Sequence, residues 1–179
     1  LQEDALGLRM KVELPVGARA FDFGPLGARV PGFTPVTAES TFDEAKGFGL
    51  SGARAEHIGK HWPDPLTGNG VIPAGNPPLR FQVNLPDGTY WVWLSAGMRL
   101  SAQAKDPHFL LRLGDEVLCD DRPSPADLHG EKYLYRFLRT PYSERPDALW
   151  HDFVARMYPV IERKVTVTGG KLTVEAANH

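Results

Sequence analysis

The stretch Leu79–Met98, LRFQVNLPDGTYWVWLSAGM, constrains the fold of this chain more than any other. Leu79, Phe81, Val83 and Leu85 alternate with Arg80, Gln82 and Asn84. A period of two is the mark of a pleated strand with one apolar face and one wet face. Pro86-Asp87-Gly88 ends the run, since proline presets φ and glycine accepts a positive one. The chain then returns as a second strand, with Tyr90, Val92, Leu94 and Ala96 on one face and Trp91, Trp93 and Ser95 on the other. An apolar strand face must be buried against another layer, so this segment alone demands a layered β structure.

Two further segments read as hairpins. HFLLRLGDEVLCD turns at Gly114-Asp115, and RKVTVTGGKLTVEA turns at Gly169-Gly170, with Val165 and Val167 facing Leu172 and Val174. Near the start, Phe21 and Phe23 share a face with Asp22 opposite, as in a half-buried strand. Residues 24–78 are rich in glycine and proline (GPLG, VPGF, DPLTGNG, PAGNPP) and read as loops. Residues 120–159 break the β rhythm. In SERPDALWHDFVARMYP, Ser143 is placed to cap, Pro146 suits a first turn, Leu149, Phe153 and Met157 share a face, and Pro159 stops the helix. The expected organisation is an N-terminal arm or linker over 1–18 and one domain over 19–179, carrying a partly helical insertion at 120–159. Short strands joined by turns point to an antiparallel β-sandwich, with a barrel as the competing architecture.

Composition narrows the functional classes. With 179 residues the chain is long enough for one real core. A net charge of −2 and the lack of a basic stripe give no footprint for nucleic acid. No apolar run reaches membrane-spanning length. A first residue of Leu rather than Met is what a processed product or a fragment would show. Cys119 is the only cysteine, which excludes an internal disulfide and a cysteine-based zinc site.

FDFGPLGARVPGFTPVT (21–37), GFGL (47–50), LRFQVNLPDGTYWVWLSAGM and KVTVTGGKLTVEA together resemble the galactose-binding-like β-sandwich modules of secreted carbohydrate-active proteins. The nearest kinds are malectin-like modules and those that precede rhamnogalacturonan acetylesterase-type catalytic domains. The resemblance covers roughly residues 19–98 and 160–176. Residues 120–159 have no counterpart in it, and one more strand is expected after EAANH. It implies a jelly-roll-like sandwich, a polysaccharide or oligosaccharide partner, a structural Ca²⁺, an extracellular or periplasmic location, and a neighbouring catalytic domain in the same chain.

The residues themselves offer several candidate sites. Trp91 and Trp93 lie opposite the face assigned to the core, where they form a platform for sugar rings or are covered by the inserted helix. Trp62, Asp64 and Asn69 place an aromatic face beside short polar groups in one segment, the composition of a sugar site or of a structural loop anchored by a buried Trp62. Tyr135 and Trp150, among the aromatic and basic residues of 128–153, line either a groove or the packed body of the insertion. His57 and His61 would hold zinc only on a helical turn, and Glu56 precedes His57, so this is not the H-E-x-x-H order. Asp22, Asp43, Glu44, Asp106, Asp120, Asp121 and Glu175 are oxygen donors of the type calcium takes. Catalysis has little support. There is no G-x-S-x-G, Ser51 in FGLSGAR being only similar to it, and Cys119 sits beside two carboxylates that disfavour a thiolate. The expected role is therefore a non-catalytic carbohydrate-binding module of a larger secreted bacterial protein. The alternatives are a structural or domain-docking sandwich, and a polysaccharide-active enzyme with its site in the insertion.

Overall fold

The computed structural model describes residues 13–25, 30–59, 66–96, 108–128, 130, 144–149, 151 and 160–178. The chain is mostly β. A five-stranded sheet runs in the order β3 (Phe48–Gly59), β4 (Asn69–Asn84), β9 (Lys171–Asn178), β6 (Phe109–Leu113), β7 (Glu116–Asp121). A second ribbon pairs β5 (Gly88–Ser95) with β8 (Val160–Val167). These pairings are antiparallel, while β1 (Phe21–Phe23) and β2 (Thr34–Val36) pair in parallel.

The β6–β7 hairpin turns at Gly114-Asp115, as its sequence predicts. The other two expected hairpins are not hairpins. β4 bonds to β3 and β9, whereas β5, which follows it directly, bonds to β8. Pro86-Asp87-Gly88 therefore carries the chain from one sheet to the other. The Gly169-Gly170 turn does the same between β8 and β9, using φ of 81° and 75° that only glycine adopts without strain. The two turns lie against each other: Leu85 N–H donates to Gly170 O at 2.9 Å, and Gly170 N–H donates to the Asp87 carboxylate at 2.8 Å. The alternation reads the same for a hairpin and for such an arch, because period two sorts side chains into faces without naming the partner strand. Val165 and Val167 do meet Leu172 and Val174, but through a core between sheets rather than side by side.

That core fixes the inner face of the ribbon. Buried Val83 (β4), Leu113 (β6), Val167 (β8) and Leu172 (β9) pack together, with Tyr90 and Val92 of β5 against them. Full burial of side chains of this size stabilises by about 1.5–3 kcal/mol each. A second cluster joins Val36, Leu50, Ala53 and Leu79. Phe21, Phe48 and Phe81 pack against both clusters: the Phe21 ring lies 5.2 Å from that of Phe48 and 4.9 Å from that of Phe81, and Phe23 lies 4.9 Å from Phe81. Asp22 departs from the half-buried reading. It is buried as well, its carboxylate accepting the Val30 N–H at 3.1 Å, so the strand is covered on both sides.

Residues 24–78, read as loops, contain β2, all twelve residues of β3 and the start of β4. The glycines there serve a strand irregularity instead of ending the strand. At Gly52 φ is +88°, a Cβ would collide with the Pro78 carbonyl oxygen, and the β3–β4 register shifts between Gly52 and Arg54. β7 extends to Asp121, past the expected start of the insertion at 120. Within the insertion, the described helical segments are α1 (Pro125–Leu128) and α2 (Pro146–Leu149), and Pro146 opens α2 as expected. The segments 131–143 and 152–159 lie outside the described residues, and with them Ser143, Phe153 and Met157. Among the described residues no helix is long and apolar enough to cross a membrane.

Candidate ligand-binding face

The inward pull on Tyr90, Val92 and Leu94 sends Trp91 and Trp93 outward. Their exposures are 70% and 71%, unusual for the largest apolar side chain and shared by two residues on one strand face. Residues i and i+2 of a strand lie about 7 Å apart on one face, so the indoles are neighbours. The β5–β8 register supplies the rest of the face: Thr89 opposite Thr166, Trp91 opposite Lys164, Trp93 opposite Glu162, and Ser95 opposite Val160. All eight residues are exposed, Val160 at 49%. Arg163, one step out of phase, is held by Glu116 of β7 at 2.9 Å and donates to the Glu162 carbonyl oxygen. Reading β8 as the hairpin partner of β9 concealed Glu162 and Lys164 as neighbours of the tryptophans.

The other candidates distribute differently. Asn69 begins β4, in the other sheet, with Gly24 and Gly59 close against its side chain. It is not brought to the tryptophan face. Trp62, Asp64, His61, Tyr135 and Trp150 lie outside the described residues. His57 sits in β3, so the helical turn needed for a His57–His61 zinc pair is absent at that residue. Its Nε2 instead lies 3.4 Å from both the Ala38 N–H nitrogen and a Glu39 carboxylate oxygen. Ser51 is the fourth residue of β3, its hydroxyl donating to Gln82 at 3.0 Å, and not on a strand-to-helix turn. Cys119 is half-buried in β7, beside Phe109 and Leu128.

Most carboxylates named as calcium donors are engaged locally. Asp43 accepts the Lys46 and Ala45 N–H groups, which hold its carboxyl below the usual aspartate range. Glu44 is likewise held low by the Asn84 amide and by Lys171. Glu175 pairs with Arg80 at 2.6 Å, and Asp120 with His108 at 2.8 Å. The His108–Asp120 pair joins the ends of β6 and β7 far from the turn, and nothing in the sequence pattern marks it. Asp106 lies outside the described residues. Asp22 is the exception: one of its oxygens is buried without a hydrogen-bond partner, and desolvation raises its pKa above the usual value against the lowering effect of the Val30 N–H. Among the described residues no three His, Cys, Asp or Glu side chains gather where a metal ion would sit.

No family model matches the chain, and no curated protein matches it. Among solved structures it is similar to the crystal structure of protein YxiM from Bacillus subtilis, with 16% identity and a TM-score of 0.50. The match covers 90% of this chain and 40% of that one, so the chain spans about two fifths of the neighbour's length. At that identity the likeness concerns the fold alone.

Proposed function

We propose that this chain is a non-catalytic carbohydrate-binding module with a galactose-binding-like, jelly-roll-like sandwich fold, part of a larger secreted bacterial protein that acts on polysaccharides. The observation that carries this reading is the exposed Trp91–Trp93 pair on a two-stranded ribbon with hydroxyl and charged side chains around it. Sugar rings offer C–H faces that pack on indole, while their hydroxyls exchange hydrogen bonds with Thr, Ser, Lys and Glu. The core shared by the five-stranded sheet and the β5–β8 ribbon supports the sandwich architecture. The similarity to part of a chain more than twice as long supports a modular setting. A structural Ca²⁺ belongs to the same proposal, supported by the unpartnered carboxylate oxygen of Asp22.

The deciding experiment is a tryptophan-fluorescence titration against soluble plant and algal polysaccharides, with calcium and then with EDTA. A saturable shift that disappears in Trp91→Ala is the expected result. A folded protein with a flat response across the panel would overturn the reading in favour of a docking surface for a neighbouring domain.

A further inference from the structure

We infer that the Trp91–Trp93 face selects a neutral polysaccharide chain lying along β5 and disfavours polymers of uniform charge of either sign; this rests on the reading of the face as a glycan site. The β5–β8 register sets the charges on this face. Trp91 is paired with Lys164 and Trp93 with Glu162, so each indole has one fixed charge beside it, and the two charges are opposite. Directly opposed residues of an antiparallel pair have Cβ atoms roughly 5 Å apart on the same face. A group stacked on Trp93 therefore lies beside the Glu162 carboxylate, and one stacked on Trp91 lies beside the Lys164 ammonium.

The face is long enough for this to matter. Thr89 to Ser95 spans roughly 20 Å of strand, and the two rings are about 7 Å apart. A chain that covers both rings presents its repeating groups to both charges. A polyanion is repelled at Glu162 and attracted at Lys164, and a polycation the reverse, so neither gains net attraction, while stacking on the rings costs each of them hydration of its own charges. A neutral chain has no such cost, and its hydroxyls donate to Glu162 and accept from Lys164. The nearby guanidinium of Arg163 does not cancel the Glu162 carboxylate. It is held on the Glu116 side chain and reaches Glu162 only at the backbone carbonyl oxygen. Thr89, Thr166 and Ser95 add hydroxyls at the two ends and no further charge.

The test is isothermal titration calorimetry at low salt with four soluble polymers: unsubstituted xylan and mixed-linkage β-glucan as neutral chains, polygalacturonate as the polyanion, and chitosan, in buffer acidic enough to charge its amines, as the polycation. Wild type is expected to bind a neutral polymer most tightly. Glu162→Gln should strengthen polygalacturonate binding about two- to fivefold, and Lys164→Gln should do the same for chitosan, the range that one exposed charge contact supplies. Both gains should shrink at high salt. All four side chains are exposed, and circular dichroism with thermal melting verifies that each variant folds. Binding of polygalacturonate or chitosan at least as tightly as the neutral chains, lost in Trp91→Ala, would overturn this inference and leave the glycan reading standing. No binding of any polymer, or neutral binding that survives both Trp91→Ala and Trp93→Ala, would overturn the inference and the reading of this face together.

Discussion

Phe21-Asp22-Phe23 and Trp91-Val92-Trp93 have the same plan, two aromatic residues flanking one different residue on a strand. In the first, the phenylalanines face Phe48 and Phe81, and the central aspartate is buried too, under the segment that contributes the Val30 N–H. In the second, the tryptophans face outward and the central valine is packed inward. Alternation therefore decides only that neighbouring side chains part company. Which side is covered depends on the layers above and below, and those come from distant parts of the chain. β1 lies between other elements on both sides, whereas the described layers reach β5 on one side alone. An aromatic pair that is not needed for the core is free to serve recognition.

Four measurements test this contrast. The largest effect is expected at Phe81, whose ring touches both phenylalanines of the first triplet. Phe81→Ala should cost about 3–5 kcal/mol of stability in urea unfolding, and a loss under 1 kcal/mol would mean that the aromatic cluster is not a cooperative part of the core. Next, the double substitution of Trp91 and Trp93 by Ala should weaken glycan binding by about 2 kcal/mol, or roughly thirtyfold. The same variant should change stability by no more than about 0.5 kcal/mol. A large fall in melting temperature would show that these rings are covered in solution. Third, Val92→Ala, between the tryptophans and facing the core, should reverse that outcome, with about 1–2 kcal/mol less stability and unchanged binding.

The smallest effect is a pH slope at Asp22. Burial raises its pKa from the usual 3.8, so the folded chain holds the proton at pH values where the unfolded chain has released it. The stability associated with this group is fully present below 3.8 and is lost as pH rises through the folded value. Asp22→Asn keeps an oxygen for the Val30 N–H and removes this dependence. Urea midpoints measured in EDTA from acidic to neutral pH should therefore move in favour of the variant as pH rises, and parallel curves would show that Asp22 is better solvated than its burial implies.

The sequence and the structure agree where the interactions are local. The faces of 79–85 and 90–95 and the 109–120 hairpin with its Gly114-Asp115 turn follow from alternation and turn chemistry, whereas the sequence leaves Trp91 and Trp93 open between an exposed platform and cover by the insertion. They diverge where the partner is remote. Pro86-Asp87-Gly88 reads as a hairpin turn, but the Asp87 carboxylate is held by Gly170, 83 residues away, and the strands separate into two sheets. Gly52 reads as a loop residue because its strand role depends on Pro78 lying across from it. Of the seven residues picked for the ligand site, the described structure places Trp91 and Trp93 together and Asn69 elsewhere. Lys164 and Glu162 join them only once β8 is recognised as the partner of β5.

The strand order also sets a timetable for the growing chain. β9 follows every other strand in sequence yet stands in the middle of its sheet, between β4 and β6. As the polypeptide leaves the ribosome, β3 with β4, and β6 with β7, have adjacent partners and are able to zip early. The edges that face β9 must wait for the final eight-residue strand. Contacts across so long a separation close slowly, and open edges invite pairing with other molecules. Synthesis of this domain thus passes through a stage with two unfinished half-sheets, the point at which a chaperone would give most protection against aggregation.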